Sequence, residues 1–275
     1  MEPKRVVITG SSRGIGKGLA LEFLRRGHRV AVNGRSEASV SRAVAALSAE
    51  SDPGDRLIGV AAEVDDYAQV QHLWDQAAAT FGGVDIWINN AGISNSRKMI
   101  GDLDPQEITA VNRSNLLGTM FAAKVALKGM SAQGHGHIYN FEGLGSNGRV
   151  MPGLSLYGAT KYAITYFTKC MIKETKGTGV KVGYLSPGIV LTHLSLEGTQ
   201  ELPPERVEET KRIYNILADR VETVTPWLVE KVLADKGHGS RIAWLTPGKA
   251  AWRFMRSRFV KRDLFAGFEL EQREV

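Results

Sequence analysis

The chain has 275 residues, of which 43% are hydrophobic and 23% charged, values that suit one large α/β domain or two small ones. Its one cysteine, Cys170, excludes an internal disulfide and CxxC metal sites, so nothing indicates a secreted protein. The net charge of +6 comes from six bases within residues 249–262. A general nucleic-acid binder, which needs a wider basic face, is therefore not expected.

Along the chain, short apolar strands alternate with longer helices. Strands are predicted over residues 5–9, 29–33, 57–61, 84–88, 137–140 and 180–185, with a candidate seventh over 241–245. Helices are predicted over residues 15–24, 37–50, 67–81, 105–131 and 154–176. This alternation predicts a single-domain Rossmann-type, doubly wound parallel sheet of about seven strands, with helices on both faces and ligands at the carboxyl ends of the strands.

We assign residues 1–248 to this domain and expect their least patterned part, residues 190–240, to form a substrate lid. Residues 249–275 form a C-terminal extension in which aromatic side chains interleave with bases. This extension is predicted to be either a packing helix with a solvated basic face or an amphipathic element that lies peripherally against a membrane or a large apolar substrate. Core-like sequence begins by Val6 and no stretch could span a bilayer, so we expect a cytoplasmic protein without a signal or transit peptide.

A glycine-rich turn, Thr9-Gly10-Ser11-Ser12-Arg13-Gly14-Ile15-Gly16, joins the first predicted strand to the first helix. Glycines there allow the backbone to approach a pyrophosphate at the helix N-terminus. An NAD site needs an acid at the end of the second strand, but residues 32–36 contain none and include Arg35. Arg35 and Arg13 are either two solvated loop arginines or a site for a 2′-phosphate; we favour the latter and predict NADP(H).

Tyr157 and Lys161 lie four residues apart on a predicted helix, and thus on one face of it. A nearby ammonium group favours phenolate, so we expect Lys161 to lower the pKa of Tyr157 and make the phenol a general acid-base residue. Taken alone, such a pair occurs by chance, and roughly nine in ten would be plain surface contacts.

These residues together resemble the classical short-chain dehydrogenase/reductase family over about residues 5–190. Five motifs in order carry the resemblance: residues 9–16, Asn89-Asn90-Ala91-Gly92, residues 115–119, residues 157–161, and Pro187-Gly188 followed by Thr192. The resemblance implies that Tyr157 protonates the developing alkoxide, that Lys161 lowers the pKa of Tyr157 and binds the nicotinamide ribose, and that Asn115 holds a water in the proton relay.

The resemblance also implies a set of cofactor-binding residues along the carboxyl edge of the sheet. They are Gly10, Ser12, Arg13, Gly14, Ile15, Gly16, Arg35, Glu63, Val64, Asn89, Ala91, Gly92, Tyr157, Lys161, Pro187, Gly188, Val190 and Thr192. Glu63 and Val64 fall where the family usually has Asp-Val near the adenine. His135 and His137 form a His-x-His sequence without an apparent third ligand, so no metal site is expected.

The sequence departs from the family at its catalytic serine. Gly143 or Leu144 falls at that position, and the nearest hydroxyl belongs to Ser146. Either Ser146 takes the role, or Glu142 or a backbone N–H polarises the carbonyl, or the enzyme is slow or inactive. We favour an active enzyme.

Residues 84–92, the serine-less loop 136–148 and residues 157–161 resemble the chlorophyll(ide) b reductase branch of the family. The branch implies NADPH-dependent reduction of the 7-formyl group of chlorophyll b to hydroxymethyl. Two alternatives stay open: a reductase of a generic 3-oxoacyl, steroid or sugar-like carbonyl, and a catalytically weak NADPH-binding sensor or membrane-associated scaffold. The family usually pairs helices like those at 105–131 and 154–176 between subunits, which implies a homodimer or homotetramer.

Overall fold

The computed structural model of the chain describes residues 2–267. Seven strands form one entirely parallel sheet, in the order β3-β2-β1-β4-β5-β6-β7. They are β1 Arg5–Ile8, β2 Arg29–Gly34, β3 Leu57–Ala61, β4 Ile86–Asn89, β5 Gly136–Phe141, β6 Val180–Ser186 and β7 Arg241–Ala243. The order reverses between β1 and β4, as expected of a doubly wound sheet. The predicted fold and the seventh strand are therefore confirmed.

Helices cover both faces of the sheet because its strands are apolar on both sides. The helices are α1 Gly14–Arg25, α2 Glu37–Ser51, α3 Tyr67–Phe81, α4 Pro105–Val111, α5 Gly118–Gln133, α6 Ser155–Glu174, α7 His193–Leu196, α8 Pro204–Leu217, α9 Val221–Ala234 and α10 Pro247–Arg256. One buried cluster joins β1 and β2 to α1, α2 and α9, and a second joins β4 and β5 to α3, α5 and α6.

The helix predicted over residues 105–131 is interrupted by a π-helical turn, Asn112–Leu117, between α4 and α5. The N–H of Gly118 donates to the carbonyl of Arg113, five residues back, and the Thr119 hydroxyl donates to the Asn115 carbonyl at 2.6 Å. A Cβ at Gly118 would lie 2.6 Å from a methyl carbon of Val64, so glycine is needed where this turn meets the end of β3. Such turns occur frequently at functional sites.

The predicted lid, residues 190–240, is too long. Its last helix, α9, packs on α1, and Val224 and Leu228 are fully buried in the core. A Cβ at Gly18 of α1 would lie 2.4 Å from a methyl carbon of Val221, so the two helices are in direct contact. The helices α7 and α8, within residues 193–217, border the cleft at the carboxyl edge of the sheet and contribute no residue to the two main core clusters.

The C-terminal segment is fastened to the domain around the buried carboxylate of Asp219, and Arg253 and Arg262 also donate to the carbonyls of Leu217 and Ala218. Asp219, 4% exposed, accepts from Arg253 at 2.7 Å, from Arg262 at 2.9 Å and from the indole N–H of Trp244 at 2.6 Å. Its backbone also bonds Ile189 and Leu191. The segment is thus tied to the strand-six edge of the cleft, while residues 268–275 of the predicted extension lie outside the described residues. Within residues 2–267, no helix combines the length and apolarity needed to cross a membrane.

Candidate active site

The loop between β1 and α1 forms a cradle that only glycine permits. Gly10 and Gly14 have φ angles of +60° and +56°, in the left-handed region. A Cβ at Gly10 would lie 2.6 Å from the Cα of Ala91, and one at Gly16 would lie 2.5 Å from the amide nitrogen of Asn90. The side chain of Asn90 fixes the loop by donating to the carbonyls of Thr9 and Gly10, both at 2.9 Å.

The N-terminus of α1 opens into this cradle. Its N-cap residue, Arg13, is extended and makes no side-chain capping bond, so the first N–H groups of the helix face the cleft without a side-chain acceptor. Free N–H groups and the positive end of the helix dipole suit a phosphate. The loop and helix therefore fit the pyrophosphate of a dinucleotide.

At the adenosine end, β2 finishes at Gly34, where a side chain would not fit. A Cβ there would lie 2.7 Å from the hydroxyl of Ser39 and 3.1 Å from the Cβ of Ser12. Arg13 and Arg35 are both exposed along the cleft and make no ion pair with any residue between 2 and 267. Arg35 thus directly follows β2, where an NAD site has an acid, and Arg13 of the glycine loop is a second cation on the same cleft.

Tyr157 and Lys161 lie in the first two turns of α6. The N–H of Tyr157 donates to the side-chain oxygen of Asn95 at 3.0 Å, which positions the start of the helix. Lys161 is 5% exposed; its ammonium donates to the Phe141 carbonyl at 3.3 Å and lies 5.7 Å from the centre of the Tyr157 ring. The predicted pair is therefore assembled on one helix face at the end of β5.

The sequence predicted that Lys161 lowers the pKa of Tyr157, but in the folded chain this pKa is raised. Burial, with a smaller contribution from Tyr214, raises the pKa of Tyr157 above its ordinary value. Burial also lowers the pKa of Lys161 to about 8, against an opposing effect of Glu142. Desolvation sets the direction of both shifts because both groups lie in the interior of the site. Tyr157 is therefore held as a neutral phenol that can donate a proton.

The missing serine is explained by the position of Gly143. A Cβ at Gly143 would lie 2.5 Å from the Tyr157 hydroxyl and 3.2 Å from the Cγ of Lys161. The phenol therefore occupies the space that a side chain at residue 143 would need. Glycine is required there for the observed position of Tyr157.

Two of the three candidates for the role of the serine are occupied elsewhere. The Ser146 hydroxyl accepts from the Gly143 N–H at 3.0 Å and donates to the Lys161 carbonyl at 3.3 Å, so it locks the loop to α6. Glu142 is buried and accepts from Arg241 at 2.7 Å, and an ion-paired carboxylate cannot donate to a carbonyl oxygen. Of the loop amides, those of Leu144, Gly145 and Asn147 have no acceptor among residues 2–267, and Leu144 is the one next to Gly143, so the backbone alternative is the one with a free donor.

Introducing the family's hydroxyl should impair the site. In Gly143→Ser the new Cβ must displace the Tyr157 ring, and a shift of about 1 Å can lower a rate about a hundredfold. We expect kcat for an aldehyde substrate to fall about a hundredfold. Gly101→Ser, at a position where a Cβ meets nothing within 4 Å, is the matched control. An unchanged or faster Gly143→Ser enzyme would show that the ring moves without cost and that the hydroxyl is usable.

Asn115 connects the strand-four motif to α6. Its side-chain oxygen accepts from the Ile93 N–H at 2.8 Å, and its amide donates to the Ile93 carbonyl at 2.9 Å and to Thr160 at 3.2 Å. A Cβ at Gly92 would lie 3.1 Å from that oxygen and 3.9 Å from the Lys161 ammonium, so these three residues meet. The Asn115 side chain is thus committed to fixing the wall beside Lys161, and the predicted relay water stays a prediction.

Asn89 is misassigned as a cofactor-binding residue. It is 3% exposed, accepts from the Trp87 indole at 2.7 Å and donates to Asn140 at 2.7 Å, so it ties β4 to β5 away from the cleft. The next residue, Asn90, lines the cleft instead. Asn95 is a further residue that the sequence did not reveal: it is fully buried and bonds Tyr157 and Gly153, but belongs to no motif.

The segment after β6 closes the site from the other side. Gly188 has a φ of +74°, and a Cβ there would lie 2.5 Å from the Cβ of Leu245. Thr192 caps α7 by accepting from the Ser195 N–H, and its methyl carbon would lie 3.7 Å from a Cβ at Gly14. This segment therefore reaches the phosphate loop, as a dinucleotide running along the sheet edge requires.

One continuous cleft of about 3080 Å³ joins these parts. The predicted cofactor residues that line it are Gly10, Ser12, Arg13, Gly14, Ile15, Gly16, Arg35, Glu63, Val64, Ala91, Gly92, Tyr157, Lys161, Pro187, Gly188, Val190 and Thr192. Its lining also includes exposed side chains of α1 and α2 such as Arg25 and Glu50, so the cleft extends beyond the predicted dinucleotide site. Among residues 2–267 no group of three or more His, Cys, Asp or Glu side chains could hold a metal ion.

Known proteins place these features in a family. A family model described as short chain dehydrogenase matches residues 4–202. A probable chloroplast chlorophyll(ide) b reductase of Arabidopsis thaliana is 36% identical over 89% of this chain, which spans about half (51%) of that relative. A second chloroplast chlorophyll(ide) b reductase of the same plant is 35% identical over 86% of this chain and 68% of its own length.

Solved structures of other proteins share the fold described above. A gluconate 5-dehydrogenase from Burkholderia cenocepacia J2315, in complex with NADP and tartrate, has a TM-score of 0.77 and 25% identity, covering 91% of this chain and 96% of that one. The motif order, the glycine cradle, the Tyr157–Lys161 pair and these matches agree with one another. The chain belongs to the short-chain dehydrogenase/reductase family of oxidoreductases.

Proposed function

We propose that this chain is an NADPH-dependent carbonyl reductase whose substrate is the 7-formyl group of chlorophyll(ide) b or a closely similar large aldehyde. The observation that carries the proposal is the identity with chlorophyll(ide) b reductases over 89% of the chain, which is more than the span of residues 4–202 that the family as a whole matches.

When bound, NADPH supplies the hydride, and the protein's residues supply the proton and the geometry. Tyr157 donates its hydroxyl proton to the carbonyl oxygen as the carbon gains the hydride, and the product is a primary alcohol. The buried ammonium of Lys161 stabilises the phenolate that remains, and a proton from solvent restores the phenol. The phosphate loop would hold the pyrophosphate, and the segment 187–192, which reaches that loop, would hold the nicotinamide side of the dinucleotide near Tyr157.

The carbonyl oxygen receives its second hydrogen bond from the loop that replaces the family serine. The free N–H of Leu144 lies beside Gly143, which contacts the Tyr157 hydroxyl. A backbone donor at this point needs no side-chain volume, so a bulky formyl-bearing ring can approach Tyr157 more closely than it could past a serine. An N–H aimed at a developing oxyanion is a common way to stabilise the transition state.

The two arginines should decide the choice of cofactor. In the double variant Arg13→Ala and Arg35→Ala we expect kcat/KM for NADPH to fall at least about 100-fold, because each guanidinium supplies a charge-assisted bond to the 2′-phosphate worth about 1.5–3 kcal/mol. The value for NADH should change less than about threefold, since NADH lacks that phosphate. Arg212→Ala, at an exposed arginine outside the cleft, is the control. Equal or better use of NADH by the unmodified protein would contradict the assignment.

An assay of pigment reduction tests whether chlorophyllide b is the substrate. We expect chlorophyllide b and NADPH, mixed with the protein, to give an absorption shift that tracks NADPH oxidation, while chlorophyllide a, which has no formyl group, gives neither. Oxidation of NADPH with other aldehydes but not with the pigment would refute the pigment and keep the reductase. No NADPH oxidation with any carbonyl would favour the sensor.

We also propose that two copies pair through α5 and α6. Tyr162 and Tyr166 are 59% and 68% exposed on one side of α6, whereas Phe167 packs into the core. Exposed aromatic side chains along a long helix suit a subunit contact rather than solvent. Sedimentation velocity checks this, and a monomer at micromolar concentration would exclude a stable pair.

A further inference from the structure

The exposed side of α10 and the turn after it carries apolar and basic side chains in one patch. We call this patch the C-terminal face; it consists of Trp252, Met255, Arg256, Arg258, Phe259, Val260 and Lys261. Phe259 is 88% exposed, Met255 60%, Trp252 50% and Val260 42%. Large apolar side chains with that exposure are unfavourable in water, and clustered together they mark a contact surface.

The basic residues of the segment divide into two groups. Arg253 and Arg262 are held by Asp219, and the ammonium of Lys249 lies 3.1 Å from the centre of the Trp244 ring. Arg256, Arg258 and Lys261 are exposed and form no ion pair with the residues that the structure describes. Residues 249–262 contain no acid, and the next residue, Asp263, accepts from the N–H groups of Phe265 and Ala266, so the second group gives the C-terminal face a net positive charge.

We propose that the C-terminal face docks on the surface of an anionic lipid bilayer. Aromatic and aliphatic side chains can enter the boundary between headgroups and acyl chains, while neighbouring Lys and Arg side chains pair with anionic headgroups. A protein partner would be expected to offer a shaped pocket for Trp252 or Phe259, whereas a bilayer needs only that apolar and basic groups share one side. The guanidinium of Arg256 lies 5.1 Å from the centre of the Trp252 ring, so a basic and an apolar group meet on one side of α10. The anchoring by Asp219 holds this side in place relative to the domain.

Docking would bring the cleft to the membrane. Ala250 and Phe254, on a neighbouring side of the same helix, line the cleft wall, and α10 also contacts α8 of the lid. The opening beside α10 would therefore lie at headgroup level. A water-insoluble substrate could enter it directly from the bilayer.

Vesicle binding tests the proposal without measuring turnover. Membrane docking can therefore be refuted while the proposed reductase activity stands, and the activity can be refuted while docking stands. We expect the full-length protein to cosediment with phosphatidylcholine vesicles that contain phosphatidylglycerol, and at least about ten times more weakly with phosphatidylcholine alone. Arg258→Glu with Lys261→Glu should reduce binding to the anionic vesicles more than about tenfold. Phe259→Ser should reduce it by a smaller factor and leave its salt dependence unchanged.

The matched control reverses the charge of two bases that lie before β6, at the amino ends of the strands and away from the cleft. Lys173→Glu with Lys176→Glu changes the net charge by the same amount at exposed positions near the end of α6, and should bind vesicles as the unmodified protein does. Unchanged melting temperatures confirm folding of both variants. The proposal would be overturned if both charge variants lost binding equally, or if neutral vesicles bound the protein as well as anionic ones. It would also be overturned if the protein self-associated and Phe259→Ser abolished this, because the occupant of the face would then be a second copy.

Discussion

Replacement of Tyr157 by Phe should lower kcat for aldehyde reduction by about 10²- to 10⁴-fold, the usual contribution of a positioned general acid. The hydroxyl is the only group that the change removes, and Gly143 lies directly beside it without a side chain that could substitute. Because burial raises the pKa of Tyr157, the proton is present throughout the neutral range, and the loss should be the same from pH 6 to pH 8.

Three measurements decide this prediction. Steady-state turnover gives kcat, fluorescence titration with NADPH should show affinity within about threefold of the unmodified protein, and Tyr162→Phe, exposed on the same helix, should leave kcat unchanged. A Tyr157→Phe enzyme that retains a tenth of the original rate would assign the proton to another group.

Lys161→Met should abolish most activity and yet stabilise the fold at neutral pH. The ordinary lysine pKa of 10.5 falls to about 8 in the folded protein because Lys161 is buried. The unfolded chain therefore binds the proton more tightly, and the charged lysine destabilises the fold by about 3 kcal/mol below pH 8. Losing the bond to the Phe141 carbonyl offsets about 1 kcal/mol of the gain, so we expect about 2 kcal/mol at pH 7.

The sign of the pH dependence distinguishes this cause from a packing effect. The destabilisation is complete below the folded pKa of about 8 and fades as pH rises towards 10.5, where the lysine is neutral in both states. In urea titrations without dinucleotide, the advantage of Lys161→Met should therefore shrink from pH 8 upwards. Lys169→Met, at an exposed position of the same helix, should show no such trend. An advantage that is constant with pH would indicate better packing instead.

The sheet, the glycine cradle and the Tyr157–Lys161 pair could be predicted because each rests on a local pattern. Strands of apolar residues, glycines after the first strand, and two side chains one helical turn apart all express short-range geometry. The same reasoning failed for Asn89 and Asn90, which are neighbours in one motif. Successive side chains of a strand face opposite ways, and which side meets the cleft depends on the crossovers of the whole sheet.

Other features depend on contacts between distant residues. The carboxylate of Glu142 is occupied by Arg241, 99 residues away, so its unsuitability as a donor is invisible in the loop sequence. Asp219 joins three side chains from two later segments, and α9 joins the core through α1 rather than the lid. The pKa of Tyr157 follows burial more than its lysine neighbour, and burial is a property of the folded chain.

The π-helical turn at Asn112–Leu117 also sets the angle between two helices. Its bond from Gly118 to Arg113 spans five residues instead of four, so the turn holds one residue more than an α-helix would. One residue corresponds to about 100° of rotation about a helix axis. Deleting a single residue there would join α4 and α5 into one regular α-helix. The side chain of Asn115 would then rotate away from Ile93 and Thr160. The extra residue thus sets the rotation of α5 relative to α4. A surface loop tolerates the loss of one residue, but here the same loss would rotate one wall of the site.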